Sequence, residues 1–219
     1  MKISFGLKIK HEPWGGGNQF LSNIIDYFKD RNVKIINHLN DKDIDIIVLM
    51  DPRYNSSSST FNHFDIEKYL KKINKNAIVV HRVNECDERK GTKYVSKNLI
   101  DANNFADHTV FISSWLKNIL SKYKEFENSS IILNGASSKI FNYSNYDKIL
   151  KNKIKIVTHH WSTHKNKGFE VYSYLDELLN DVECSNKIDF TFIGNLPKNF
   201  KFKNKRNIEP KNGSELADL

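Results

Sequence analysis

Three stretches of this chain are dense enough in glycine, imidazole, guanidinium or ammonium groups to meet a ligand. The first is Gly15-Gly16-Gly17, set between a short apolar run and a segment of helical periodicity. Strand, glycines, helix is the order in which backbone N–H groups and a helix dipole can hold an anion. The stretch is neither G-x-G-x-x-G nor a P-loop with its Lys-Ser/Thr, so a permissive turn accounts for it equally well. The second is "HRVNECDERKG" at 81–91, directly after an apolar strand. Arg82 suits a phosphate or carboxylate, while His81, Glu85 and Asp87 suit proton or hydroxyl handling. A solvated loop with internal ion pairs is the competing account.

The third stretch is "THHWSTHKNKGFE" at 158–170. His160 and His164 have the i, i+4 spacing of a metal pair, but only on a helix, and this segment reads as loop without a further ligand. No metal is expected. Lys167-Gly168, opening a helix, sets an ammonium beside free N–H groups and suits a phosphate. Gly194, in "FIGN", ends a strand where a ligand can approach closely. "HEPWG" is not H-E-x-x-H, and no serine sits in a G-x-S-x-G elbow.

These stretches need a frame. Apolar runs at 2–9, 33–36, 43–51, 77–83, 108–113 and 130–135 read as strands. Between them lie helical stripes such as Phe20, Leu21, Ile24, Ile25 and Phe28, or Ile66, Tyr69, Leu70 and Ile73. The alternation predicts a parallel sheet covered on both faces, with ligand loops at the carboxyl ends of the strands. A polar stretch at 136–152 interrupts the rhythm. Strands at 153–160 and 187–195 and a helix at 168–180 then restart it, with a short strand near Asn207-Ile208. The expected division is 1–140, a connection at 141–152, and 153–219.

Composition narrows the class. The chain has 219 residues, a net charge of +8 and 39% hydrophobic residues, enough for a real core. Its lysines are spread along the chain apart from 198–206, and no nucleic-acid-binding signature accompanies them, so no nucleic acid is expected. No run is long enough to cross a bilayer. Two distant cysteines suit a reducing compartment. The expected location is cytoplasmic, with peripheral contact to anionic lipid at the inner membrane face left open.

Taken in order, "GGGNQFL", "HRVNECDERKG", "ADHTVFISSWL", "ILNGASSKIF", "THHWSTHKNKGFE" to "FTFIGNLP", and "NGSELADL" resemble the GT-B glycosyltransferases of family four. The resemblance implies an α/β chain of GT-B type, with a complete amino-terminal Rossmann-like domain on the acceptor side and an incomplete second one on the donor side. It implies transfer of a sugar from a nucleotide-sugar to a glycan or lipid-linked acceptor, with retention and without a metal or other cofactor, in cell-surface polysaccharide synthesis. Carried over by position, donor contacts fall on Gly15, Gly16, Gly17, Lys167, Gly168 and Gly194. Catalytic roles fall on His81, Arg82 and Asp87, and acceptor contacts on Asn84, Glu85 and Ser113.

Two departures stand out. "WSTH" lacks the arginine often found before the K-G lysine, with Ser162 near its place. The E-x7-E stretch that holds donor sugar and ribose would lie beyond Leu219, so the expectation is a second domain cut short. The rival readings are a non-catalytic or split-enzyme sugar-nucleotide module, another doubly wound nucleotide-binding protein, and a basic nucleic-acid binder.

Overall fold

The structure is a computed structural model that describes residues 1–10, 15–53, 56–142, 153–205 and 207–219. The chain divides into two compact units, Met1–His11 with Gly16–Asn134, and Glu12–Gly15 with Gly135–Leu219. Residues 143–152 of the expected connection lie outside the described residues.

The first unit carries strands β1 (Lys2–Phe5), β2 (Lys34–Ile36), β3 (Ile46–Leu49), β4 (Ile78–Val83), β5 (His108–Phe111) and β6 (Ser129–Ile131). They form one sheet in the order β2-β1-β3-β4-β5-β6, and every neighbouring pair is parallel. Helices α1 (Gly16–Phe28), α2 (His63–Lys72), α3 (Asp87–Lys90), α4 (Val95–Asn103) and α5 (Ser114–Leu120) connect them. Alternation along β3 explains its unbroken apolar run. Ile47 and Leu49 join a cluster with Ile66, Tyr69 and Ala102, whereas Val48 and Met50 join Leu21, Ile3 and Phe5 on the other face. A parallel strand covered on both sides needs apolar residues at every position.

Because β1 has β2 on one side and β3 on the other, the strand order reverses between β1 and β3. In open parallel sheets ligands bind outside the carboxyl ends of the strands at such a topological switch point.

The expected strand at 2–9 is shorter in the structure. At Gly6 the chain leaves the sheet beneath Phe61, whose Cε2 would stand 2.9 Å from a Cβ on that residue. The Lys8 N–H instead donates to the Ser58 carbonyl at 2.8 Å, tying the loop after β1 to the loop after β3.

The second unit has β7 (Ile154–His160), β8 (Ile188–Gly194) and β9 (Asn207–Ile208), parallel in that order, with α6 (Phe169–Leu178), α7 (Val182–Lys187) and α8 (Gly213–Ala217). Its core is largely aromatic: Phe169, Phe190 and Phe192 are buried, packed by Tyr172, Phe200 and Phe202. The phenylalanines of the basic stretch 198–206 thus belong to the core. The buried Asp176 carboxylate on α6 accepts the Lys203 and Asn204 N–H groups at 2.6 and 3.0 Å and holds that stretch in place. The helices α3 and α7 were not expected from periodicity, since each is too short to show one.

Candidate functional site

In the first unit the predicted residues gather at one end of the sheet, as parallel topology requires. The helix α1 follows β1, the segment 84–87 follows β4, and Ser113 follows β5. Gly16 and Gly17 are the first two residues of α1 rather than a loop before it. Neither has a positive φ. A Cβ on Gly16 would meet nothing within 4 Å among the described residues, and one on Gly17 would only graze Leu7 at 3.9 Å. The fold therefore does not demand glycine at either place, although glycine is a poor helix former. Gly15 groups with the second unit, and it too has open space where a side chain would go. Behind the glycines, Asn18 is buried and locks the loop after β1: its Oδ1 accepts the Lys10 N–H and its Nδ2 donates to the Lys10 carbonyl, both at 2.7 Å.

His81 and Arg82 are consecutive on β4 and point to opposite faces. His81 is fully buried, its Nδ1 3.4 Å from Asn103 Nδ2 and its Nε2 without a partner among the described residues. Burial, with smaller contributions from His63 and Lys124, pushes its pKa down to about 3. A neutral imidazole sealed in the core is poorly suited to the proton handling expected of it. Arg82 turns the other way. Its guanidinium lies 3.9 Å from the centre of the Phe20 ring on α1, and Nη2 donates to Asn134 Oδ1 at 2.8 Å. Nη1 is buried and has no partner among the described residues, and burial pushes the guanidinium pKa down to about 10.

Asp87, expected to be catalytic, is engaged in holding backbone. Its Oδ1 accepts the Tyr94 and Val95 N–H groups at 3.0 and 2.9 Å, and its Oδ2 accepts that of Ser96 at 3.2 Å. The Thr92 hydroxyl donates to it as well. It thus serves the start of α4, which has no cap from Tyr94. Burial raises its pKa, but the Thr92 hydroxyl and these N–H groups outweigh that and the net shift is downward. Glu85 is paired with Lys90 at 3.0 Å and Arg89 at 3.6 Å, and the Asn84 carbonyl accepts from Arg89 Nη1 at 3.0 Å. The Ser113 hydroxyl accepts the Leu116 N–H at 3.2 Å and caps α5.

One cluster was not anticipated. Asp51, at the end of β3 beside the switch point, accepts Arg53 Nε at 2.8 Å, Arg53 Nη2 at 2.6 Å and the Ser56 hydroxyl at 2.7 Å. Burial raises the Asp51 pKa, while Arg53 and Ser56 bring the net shift down. The signal was available, since Asp51 is the first polar residue after an apolar strand. Asn55, in the same polar loop, lies outside the described residues. Phe20 and Asn134, the two partners of Arg82, were read only as a packing residue and as part of a motif.

In the second unit Lys167, Gly168 and Gly194 sit at the carboxyl end of the sheet. Lys165–Lys167 form a 3-10 turn, Gly168 takes a left-handed conformation (φ 87°), and α6 starts at Phe169 with no side-chain cap. The first N–H groups of α6 thus lie beside a half-buried lysine. His160 donates through Nδ1 to the Ser162 carbonyl at 2.9 Å and is enclosed by Phe169, Tyr172 and Phe192, with Nε2 unpartnered among the described residues. The pair His160 and His164 spans a strand end and a turn, not one helix face. Among the described residues no three His, Cys, Asp or Glu side chains form a metal-ligand group, and no helix is long and apolar enough to cross a membrane.

No protein-family profile and no curated protein matches the chain in sequence. In structure it is similar to an alpha-glucosyltransferase in complex with UDP-glucose and DNA containing an abasic site. That likeness has a TM-score of 0.53 and 13% identity, and covers 89% of this chain and 57% of that one. A protein assigned as a UDP-N-acetylglucosamine 2-epimerase from Listeria monocytogenes is also similar, with a TM-score of 0.45 and 13% identity, over 91% of this chain and 60% of that one. The fold is therefore an α/β fold of GT-B kind, two parallel Rossmann-like units in succession. The chain spans 57% of the length of the glucosyltransferase it matches.

Proposed function

We propose that this chain is a nucleotide-sugar glycosyltransferase of family-four type, transferring a sugar with retention to a glycan or lipid-linked acceptor in cell-surface polysaccharide synthesis. The observation that carries the reading is the uncapped amino end of α6 at the carboxyl end of β7, with Lys167 and the left-handed Gly168 immediately before it. A departing nucleoside diphosphate develops negative charge, and an ammonium with aligned N–H dipoles stabilises that charge. The similarity to an enzyme whose structure holds UDP-glucose supports the same class of donor. Gly194 supplies a strand end without a side chain on the same unit.

In this reading the first unit takes the acceptor, with the segment 82–85 facing it, and transfer uses no metal. Working at the cytoplasmic face, with peripheral contact to anionic lipid, suits a lipid-linked acceptor. A second reading, a sugar-nucleotide-binding module without transfer activity, is favoured by the burial of His81 and the backbone role of Asp87. Calorimetric titration with UDP and a panel of nucleotide-sugars tests donor binding. Release of nucleoside diphosphate in the presence of acceptor glycans separates enzyme from module. Absence of binding to every nucleotide-sugar would overturn both readings.

A further inference from the structure

Several of the better-exposed cations have an anionic partner, whereas the most buried one has none among the described residues. Arg53 is paired with Asp51, Arg89 and Lys90 with Glu85, and Lys2 with Asp41 and Asp43. Arg82 is 5% exposed and forms no ion pair among the described residues. A buried charge without a partner is costly, because the water it lost has not been replaced. The Phe20 ring face and the Asn134 amide oxygen offset part of that cost, but both are neutral. Nη1 still holds two unused N–H donors.

The surroundings suit an oxyanion. Phe20 is the fifth residue of the 13-residue helix α1, and side chains on a helix lean toward its amino end. The guanidinium thus stacks on a ring borne one turn into a helix whose first two residues are glycines, and a Cβ on Gly16 would meet nothing within 4 Å among the described residues. A helix amino end and an unsatisfied guanidinium both attract negative charge.

We propose that Arg82 Nη1 and the amino end of α1 form an oxyanion site on the first unit, which takes a phosphoryl or carboxylate group carried by the acceptor. That the acceptor carries the anion rests on the glycosyl-transfer reading; the anion site itself does not.

The test uses the full chain and inorganic phosphate, with chloride at matched ionic strength as the control. Saturable thermal stabilisation by phosphate is expected in the wild type, and in Lys167→Ala, which removes the phosphate ligand proposed on the second unit, the part owed to Arg82 should remain. In Arg82→Met the phosphate affinity should fall by about 10-fold or more, and Arg82→Lys, which keeps charge without the fork, should fall between. Phosphate should also shift the Phe20 ring resonances of the wild type, a readout that needs no variant to fold. Glucose 6-phosphate and glucuronate then distinguish a phosphorylated from a uronic-acid acceptor, and either binding through Arg82 supports the proposal. An unchanged phosphate response in Arg82→Met overturns it. So does a response lost only in Lys167→Ala, which would assign the anion to the second unit and leave the donor reading intact. Displacement of phosphate from Phe20 by UDP would equally overturn it, since the donor would then own the site.

Discussion

Gly194 faces His160 across the β7–β8 ladder so closely that a Cβ on the glycine would stand 2.1 Å from the His160 carbonyl oxygen. Its φ of 146° adds to the restriction, because side chains rarely adopt that backbone. Gly194→Ala must push the two strand ends apart at the place where the loops proposed to hold the donor begin. A loss of about 2–4 kcal/mol is expected, read as a lower urea midpoint in the second unit. Near-wild-type stability would mean that the loops absorb the shift.

Lys167 is expected to contribute through charge. Lys167→Ala should weaken UDP binding by about 10-fold, near 1.4 kcal/mol, with folding unchanged because the side chain is only half-buried. Titration calorimetry with UDP reads this directly. Equal affinity in the variant would remove the lysine from the donor site.

Acid should destabilise the first unit through His81. Its folded pKa lies far below the unfolded value of about 6.5, so the unfolded chain takes up the proton first. Stability is therefore full above pH 6.5 and falls as pH drops toward 3, by up to about 1.4 kcal/mol per unit. His63, also buried and shifted down chiefly by burial, acts in the same sense. Denaturant titrations at pH 7.5, 6, 5 and 4 should show a shallower slope in His81→Gln than in the wild type. Parallel slopes would show that this imidazole does not govern the acid limb.

The Asp87 carboxylate holds the start of α4, so Asp87→Ala should cost about 1–2 kcal/mol. Amide exchange at Tyr94, Val95 and Ser96 should quicken together. If Asp87→Ala abolished sugar transfer while those three amides kept their protection, the carboxylate would be acting on substrate instead.

Asp51→Asn should loosen the loop after β3 while the sheet stays intact. The substitution removes the charge that gathers Arg53 and Ser56 beside the switch point. Faster proteolysis within 51–62 at an unchanged melting temperature is the expected signature.

Much of this architecture was legible in advance because parallel sheets write a simple pattern. Apolar runs such as 77–83 are the mark of strands covered on both faces, and stripes such as Phe20, Leu21, Ile24 and Ile25 mark the helices that cover them. The short helices α3 and α7 left no periodicity to read. The early end of β1 came from Phe61, a residue 55 positions further along the chain, lying over Gly6. Asp51 was overlooked because its partners Arg53 and Ser56 form a cluster only when the loop folds back over the strand end.

The sequence by itself determined the alternation of strands and helices and the end of each sheet at which polar loops collect. It placed His81 and Arg82 side by side with equal claims to chemistry. Only the tertiary structure separated them. Neighbouring residues on a strand point to opposite faces, and here both faces are covered by helices. Which face closes over an imidazole and which leaves a guanidinium beside a glycine-led helix depends on what α1 and α4 bring to each side. Those contacts, Phe20 and Asn134 to Arg82 and Asn103 to His81, join residues 22 to 62 positions apart.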